Sequence, residues 1–432
     1  MERYWALDPS REIRMKSDAQ YAEAFREIFT EAVRCRLRSA FPVGSMLSGG
    51  LDSSSIVCIA RRLLQEHGGG PLHTFSAVFD DVPECDEREY IQAVLAAGGL
   101  RHDFVRGDLL DPLEDPERVL EQQDEPFYAP NLFLHWGLYG KAQQRGVRVL
   151  LDGLDGDSTV SHGIGYLGEL ARKGRWLRLA REIHGLSRNF GRSPWVILKS
   201  HALRPLAPDF VRRAWRMVRP RNGSRAAKAG LLNPDFARRM GVDERVRQQE
   251  PVHRGASISA KRFHYRSLTQ GIIPLVLEVA DRAAAVVSIE PRYPFFDRRL
   301  AELCLAMPAD QKIRHGWTRF VIRQAMDGIL PPAIRWRGGK ANLSPNFMAR
   351  MFRATRGRLG HPEGGDGKFL GRFVAEAALE STRERFLAQP TESDALAVWQ
   401  AFTLGVWLNH VQLAAEGSES VPKEGVRPWT PI

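Results

Sequence analysis

Val43-Gly44-Ser45-Met46-Leu47-Ser48-Gly49-Gly50-Leu51-Asp52-Ser53-Ser54 is the stretch on which the fold turns. Residues 43–47 are short and mostly apolar, as a buried strand is. Residues 55–64 place apolar side chains at helical spacing. The order is therefore strand, glycine-rich turn, helix. Paired glycines let a backbone approach a bound group with no Cβ in the way. The first amides of the following helix have no partners inside it, and the helix dipole adds positive potential there. Such a turn suits a phosphate or pyrophosphate. No Lys follows the glycines, so the loop is not G-x-x-x-x-G-K-[ST]. Asp52 puts a carboxylate where phosphates would lie, and a bridging Mg²⁺ would relieve that repulsion. The same residues also suit an ordinary strand-to-helix turn with Ser caps.

Working outward, residues 19–37 form an amphipathic helix with Tyr21, Phe25, Ile28, Phe29 and Val33 on one face. Strands are expected at 72–79, 102–105 and 147–151, with helices at 87–97 and 131–144 between them. Strands alternating with helices predict an α/β fold, a parallel sheet covered by helices on both faces. Ligands of such folds bind beyond the carboxyl ends of the strands, where Ser48, Phe79, Asp80 and Asp152 are expected. After Ser161 the strand signal fades and a mainly helical part, 161–416, follows the nucleotide-binding part, 17–160. Residues 1–16 read as a linker and 417–432 as a Pro-broken tail. The arginines of 204–250 (Arg212, Arg213, Arg216, Arg219, Arg221, with a loop at 220–224) suit a solvated face or a surface for an anionic partner.

Three further blocks carry chemistry. Asp152-Gly153-Leu154-Asp155-Gly156-Asp157 follows the fourth strand, and its Asp157 together with Asp52 could supply the one or two carboxylates that Mg²⁺ prefers. Ile289-Glu290-Pro291-Arg292-Tyr293-Pro294-Phe295-Phe296-Asp297 holds a Glu290/Arg292 pair that reads equally as structural. Arg335-Trp336-Arg337-Gly338-Gly339-Lys340 places a lysine beside two glycines in a loop.

Together these blocks resemble the asparagine synthetase family: the S-G-G-x-D-S loop of ATP pyrophosphatases, then D-R … L-E-x-R-x-P-F-L-D over 278–298. The likeness spans about Ser17 to Asn346 and includes the β-lactam synthetases and lasso-peptide cyclases. It implies an adenine-nucleotide α-hydrolase-like fold and an ATP-dependent amide ligase that activates a carboxylate as an acyl-adenylate. ATP contacts would come from Leu47, Ser48, Gly49, Gly50, Leu51, Asp52, Ser53, Ser54, Val78, Asp152 and Gly153. Asp52 and Asp157 would hold Mg²⁺, Glu290 would accept the amine's proton, and Lys340 would meet the phosphates. Leu154, Asp155 and Ser158 depart from the family loop, and Leu154 stands where β-lactam synthetases place a catalytic Tyr, which disfavours that activity. Ser267-Leu268-Thr269-Gln270-Gly271 and the Lys340 block look closer to lasso-peptide cyclases, implying macrolactam formation on a precursor peptide, with leader-processing proteins as partners. Asparagine formation from aspartate is the rival. It needs ammonia or a glutaminase domain, for which 1–16 has no room, so either that domain was lost or the chain starts inside a longer protein.

The formal net charge of +11 favours anionic partners. An RNA-directed ATP pyrophosphatase is the alternative from another class, although four scattered cysteines argue against thiolation and against zinc or disulfide frameworks. No apolar run approaches a membrane span and no signal peptide opens the chain, so a reducing cytoplasm is expected.

Overall fold

The computed structural model describes residues 4–126, 129–206, 231–246, 259–357 and 370–416. Most of the arginine-rich stretch named above, including Arg212 to Arg221 and the 220–224 loop, and the 417–432 tail lie outside the described residues. The first half alternates as expected: α1 (Asp18–Arg36), β1 (Val43–Met46), α2 (Leu51–Glu66), β2 (Leu72–Val78), α3 (Arg88–Leu95), β3 (Leu100–Arg106), α4 (Pro116–Gln123), α5 (Leu132–Gln144) and β4 (Val149–Leu151). α1 starts at Ser17, whose hydroxyl accepts from the Gln20 amide, and buries Phe25, Phe29 and Val33.

β5 (Glu290–Arg292) completes a five-stranded, all-parallel sheet in the order β3-β2-β1-β4-β5. This strand lies inside the part expected to be helical. It is three residues long and contains Pro291, which is tolerated because β5 has a neighbour on one side only. The backbone of β5 is held by Glu290 N–H on the Arg148 carbonyl and Asp152 N–H on the Arg292 carbonyl. A short antiparallel hairpin, β6 (Ile313–Arg314) with β7 (Trp317–Thr318), also interrupts the helical part.

Helices cover both faces. One core joins α1 and α2 to the helices Arg298–Ala306 and Phe320–Ala325 through Phe25, Phe29, Ile56, Val57, Leu300 and Ile322. The other packs α5 and the helix Ile272–Ala285 through Tyr139, Leu150, Ala283 and Ala284 against Met351 and Trp399. A third cluster of Leu167, Leu170, Leu179, Ile183 and Leu186 holds α7 (Gly165–Arg172) to α8 (Trp176–Phe190). No helix among the described residues is long and apolar enough to cross a membrane.

Strand order reverses between β1 and β4. Neighbouring crossovers leave the sheet in opposite directions there, opening a crevice at the carboxyl ends of the two strands.

Candidate active site

The two glycine- and aspartate-rich loops meet in that crevice. After β1, Leu47 is buried and donates to the Phe75 carbonyl. Gly49 then turns at φ +70°, a conformation that explains glycine there. Gly50 is the N-cap of α2 without a side-chain cap, so the helix amides face the crevice unsatisfied by a neighbouring side chain. Ser53 folds back to accept from the Ser48 amide at 3.1 Å and lies 3.0 Å from the Ser48 hydroxyl. Ser54 is buried, and its hydroxyl has no partner among the described residues.

The loop after β4 presses against this turn. A Cβ on Gly153 would stand 2.8 Å from the Ser53 amide nitrogen, and one on Gly156 would stand 2.6 Å from Asp52 Oδ1. Glycine at both positions is therefore what lets the loops touch. Asp155 turns at φ +53° and leads into the short helix α6 (Gly156–Val160), which carries Asp157.

Asp52 and Asp157 converge on one guanidinium. Arg319 donates through Nη1 to both oxygens of Asp52 at 2.7 Å and lies 2.6 Å from Asp157 Oδ1. Burial pushes the Asp52 carboxyl up against the pull of Arg319. Burial also works on Asp157, but Arg319, His162 and Lys340 outweigh it and hold that carboxyl below its usual value. Asp157 Oδ1 is buried and accepts no well-formed hydrogen bond. No group of three or more His, Cys, Asp or Glu ligands exists among the described residues. Two convergent carboxylates fit Mg²⁺, which takes one or two carboxylates and fills its shell with phosphate oxygens and water.

Lys340 reaches the same place. It is exposed, makes no ion pair among the described residues, and acts electrostatically on Asp52, Asp155 and Asp157. Its loop is clipped by Glu87, whose Oε1 accepts the Ala341 amide at 2.8 Å and also binds Arg337. Arg337 in turn stacks on the Tyr90 ring and reaches the Gly49 carbonyl at 3.3 Å.

Asp152 leads a second, buried group beside the crevice. Its carboxyl is pushed up by burial, with His135 opposing. The Tyr139 and Tyr293 hydroxyls and His135 Nδ1 are buried without hydrogen-bond partners among the described residues, and Asp152 and Asp281 act on both phenols. Val78 is buried at the carboxyl end of β2, and Gly107 donates to its carbonyl. His102, which the sequence left without a role, pairs with the Thr74 hydroxyl at 2.8 Å and is pushed down to about 4 by burial.

Glu290 is not brought to this site. It pairs in register with Val149, the first residue of β4, which pairs with Val43, the first residue of β1. Ser48 and Asp152 follow the last residues of those strands, so Glu290 stands at the opposite, amino edge. Its carboxylate receives two bonds from Arg292, at 2.8 and 3.0 Å, and Arg292 also caps the carbonyls of Arg36 and Arg38. This is the structural ion pair that the bare residues allowed.

The sequence reading missed Arg319 and its neighbour Arg323, which is pushed down to about 9 by burial and by the Arg319 charge. It also missed the support behind Asp157. Buried Lys312 Nζ lies 2.9 Å from His264 Nδ1, and His264 Nε2 lies 2.9 Å from the Thr159 carbonyl in α6.

With this geometry in place, the asparagine synthase family profile is found to match residues 24–408. The chain belongs to that family. It is 26% identical over 350 residues to asparagine synthetase [glutamine-hydrolyzing] 3 of Bacillus subtilis, covering 78% of this chain and 50% of that protein. A putative asparagine synthetase [glutamine-hydrolyzing] 2 of Methanocaldococcus jannaschii is 32% identical over 174 residues, covering 39% of this chain and 32% of that protein. A probable asparagine synthetase of Dictyostelium discoideum is 28% identical over 176 residues, covering 38% and 30% respectively. The chain thus spans half or less of the length of these relatives. Family membership and the five-stranded parallel sheet agree with the fold expected from the 43–54 stretch.

Proposed function

We propose that this chain is an ATP-dependent carbon–nitrogen ligase that joins a carboxylate to an amine through an acyl-adenylate. The observation that carries the reading is the meeting of Asp52, Asp157, Arg319 and Lys340 at the mouth of an amide-rich turn. The amides of 49–54 and the Ser48 and Ser53 hydroxyls bind the phosphates of ATP. Asp52 and Asp157 hold Mg²⁺, which when bound neutralises phosphate charge. The substrate carboxylate attacks the α-phosphorus, forming an O–P bond as the bond to pyrophosphate breaks, and Lys340 stabilises the charge that leaves. The amine then attacks the acyl carbon and AMP departs. The proton lost by the amine passes to the buried group around Asp152, whose raised carboxyl is suited to accept it. Burial there also keeps water from the adenylate.

The amine and carboxylate belong, in this reading, to one peptide, and the product is a macrolactam. The Leu154 variant loop and the Ser267–Gly271 stretch support it. Asparagine synthesis is the second reading, favoured by the names of the similar proteins. ATP–pyrophosphate exchange with aspartate as sole carboxylate separates the two. Exchange with aspartate moves the chain to asparagine formation. Exchange only with a peptide, followed by loss of one water from that peptide, supports the macrolactam.

A further inference from the structure

One face of α8 is turned away from the site. A groove of about 580 Å³ runs between α8 and the short helix α9 (Pro194–Ile197), lined by Trp176, Leu179, Ile183, Pro194, Trp195 and Leu203 among others. Its rim is unusually bare: Trp176 is 51% exposed, Trp195 63% and the adjacent Leu177 80%. Contiguous apolar surface of this kind marks an interaction site. The segment that forms it is rich in basic residues, of which Arg178 is paired with Asp310. Residues 172–206 contain nine Arg or Lys and a single acidic residue, Glu182, which is buried and accepts the Gly316 amide.

We propose that this groove docks a peptide segment that combines acidic and bulky apolar side chains. The cations meet the acids while Trp176 and Trp195 clamp the apolar anchors, the pattern by which Trp and Arg dominate peptide interfaces. A concave groove takes inserted side chains, whereas a lipid surface would need a flat or convex face. The proposal rests on the peptide reading of the active site and assigns this segment to the substrate, away from its reacting groups.

The groove is placed for that task. On its other face α8 touches the hairpin that leads to Arg319: Glu182 accepts the Gly316 amide at 2.8 Å, and Asn189 Nδ2 donates to the Gly316 carbonyl at 3.1 Å. The Asn189 carbonyl also abuts Gly338 of the Lys340 loop. Groove and hairpin are thus separated by about one helix diameter, ~10–12 Å. Roughly six extended residues, at ~3.3 Å each, are enough to pass around it.

The test uses the full chain and a short fluorescein-labelled peptide of Leu, Phe, Glu and Asp, read by fluorescence anisotropy, with a Lys-for-Glu/Asp peptide as control. The acidic peptide should bind, the basic one should not, and the double variant Trp176→Ser/Trp195→Ser should lose about tenfold or more in affinity. ATP binding by that variant should be unchanged, which shows that it folds. Equal peptide binding by the double variant overturns the proposal. So does tighter, Trp-dependent binding of phosphatidylglycerol vesicles, an RNA oligonucleotide or a second copy of the chain in sedimentation. Peptide-dependent pyrophosphate exchange that survives the double substitution removes the groove and leaves the ligase reading standing. Trp-dependent peptide binding combined with exchange on free aspartate alone keeps the docking surface and removes the peptide substrate.

Discussion

The two edges of the sheet carry motifs of equal apparent strength and have opposite fates. At the carboxyl edge, Asp52 and Asp157 come from strands adjacent in space but about a hundred residues apart in sequence, and they share one arginine. At the amino edge, Glu290 and Arg292 are two residues apart and satisfy each other while tying β5 to the end of α1. Both are carboxylate–arginine arrangements. The first sets two carboxylates against a single guanidinium, while the second is closed and half in water. A functional carboxylate is one whose electrostatics remain unfinished in the protein alone.

That contrast can be broken at several points. The largest effect is expected for Asp52→Asn, which should lower ATP–pyrophosphate exchange about a thousandfold while leaving the far-ultraviolet circular dichroism unchanged. Undiminished exchange would take the carboxyl edge out of the chemistry. Arg319→Met leaves two part-buried carboxylates facing each other and should cost about 2 kcal/mol in denaturant unfolding. Millimolar Mg²⁺ should restore more stability to this variant than to the parent, and no such difference would mean that the two carboxylates do not hold the ion.

A smaller effect sharpens the account of what supports Asp157. Burial pushes Lys312 down from 10.5 to about 8. Below about 8 both folded and unfolded chains hold the proton, and above 10.5 neither does. Between these limits the unfolded chain binds the extra proton, so stability rises with pH. Of its neighbours, His264, near 3, is silent in that window, while Cys304, pushed by burial from 9.0 to about 12, opposes the rise above 9.0 in the parent and in Lys312→Met alike. Relative to Lys312→Met, the parent should gain roughly 2–3 kcal/mol between these limits by chemical denaturation. Parallel curves would show that Lys312 does not titrate there. The smallest effect is expected for Glu290→Gln. Its side chain is 62% exposed, so loss of the pair should cost at most about 1 kcal/mol and change turnover less than twofold. Selective slowing of amide formation, with adenylation intact, would return Glu290 to the chemistry.

What the sequence made legible was what glycine and aspartate spell locally. Gly49, Gly153 and Gly156 mark turns and backbone approaches that favour glycine, and alternating apolar runs fix which end of a strand each loop leaves. Val43 to Ser54 therefore located one wall of the site, and 152–157 the other. Arg319 was hidden because it is one of 62 basic residues, and its left-handed backbone has no glycine to betray it. Glu290 was misplaced because a three-residue strand containing proline has no periodicity to read. A motif match names a segment without saying at which end of a strand its carboxylate falls. The Lys312–His264 contact depends on tertiary packing between segments about fifty residues apart, which no local pattern encodes.

β5 has a further consequence, for how the chain is made. β4 ends at Leu151 and its outer neighbour begins at Glu290, so 138 residues (290 − 151 − 1) must be synthesised before that side of the sheet is paired. At ~5–20 residues per second this takes from about 7 to nearly 30 seconds. Throughout that interval the nascent chain carries β4 as a naked parallel edge, an open template for pairing with another chain. The nucleotide crevice is thus legible from its first 157 residues yet cannot mature on them. Chains truncated before residue 290 should collect in aggregates and on chaperones, whereas chains extending past 292 can close the sheet.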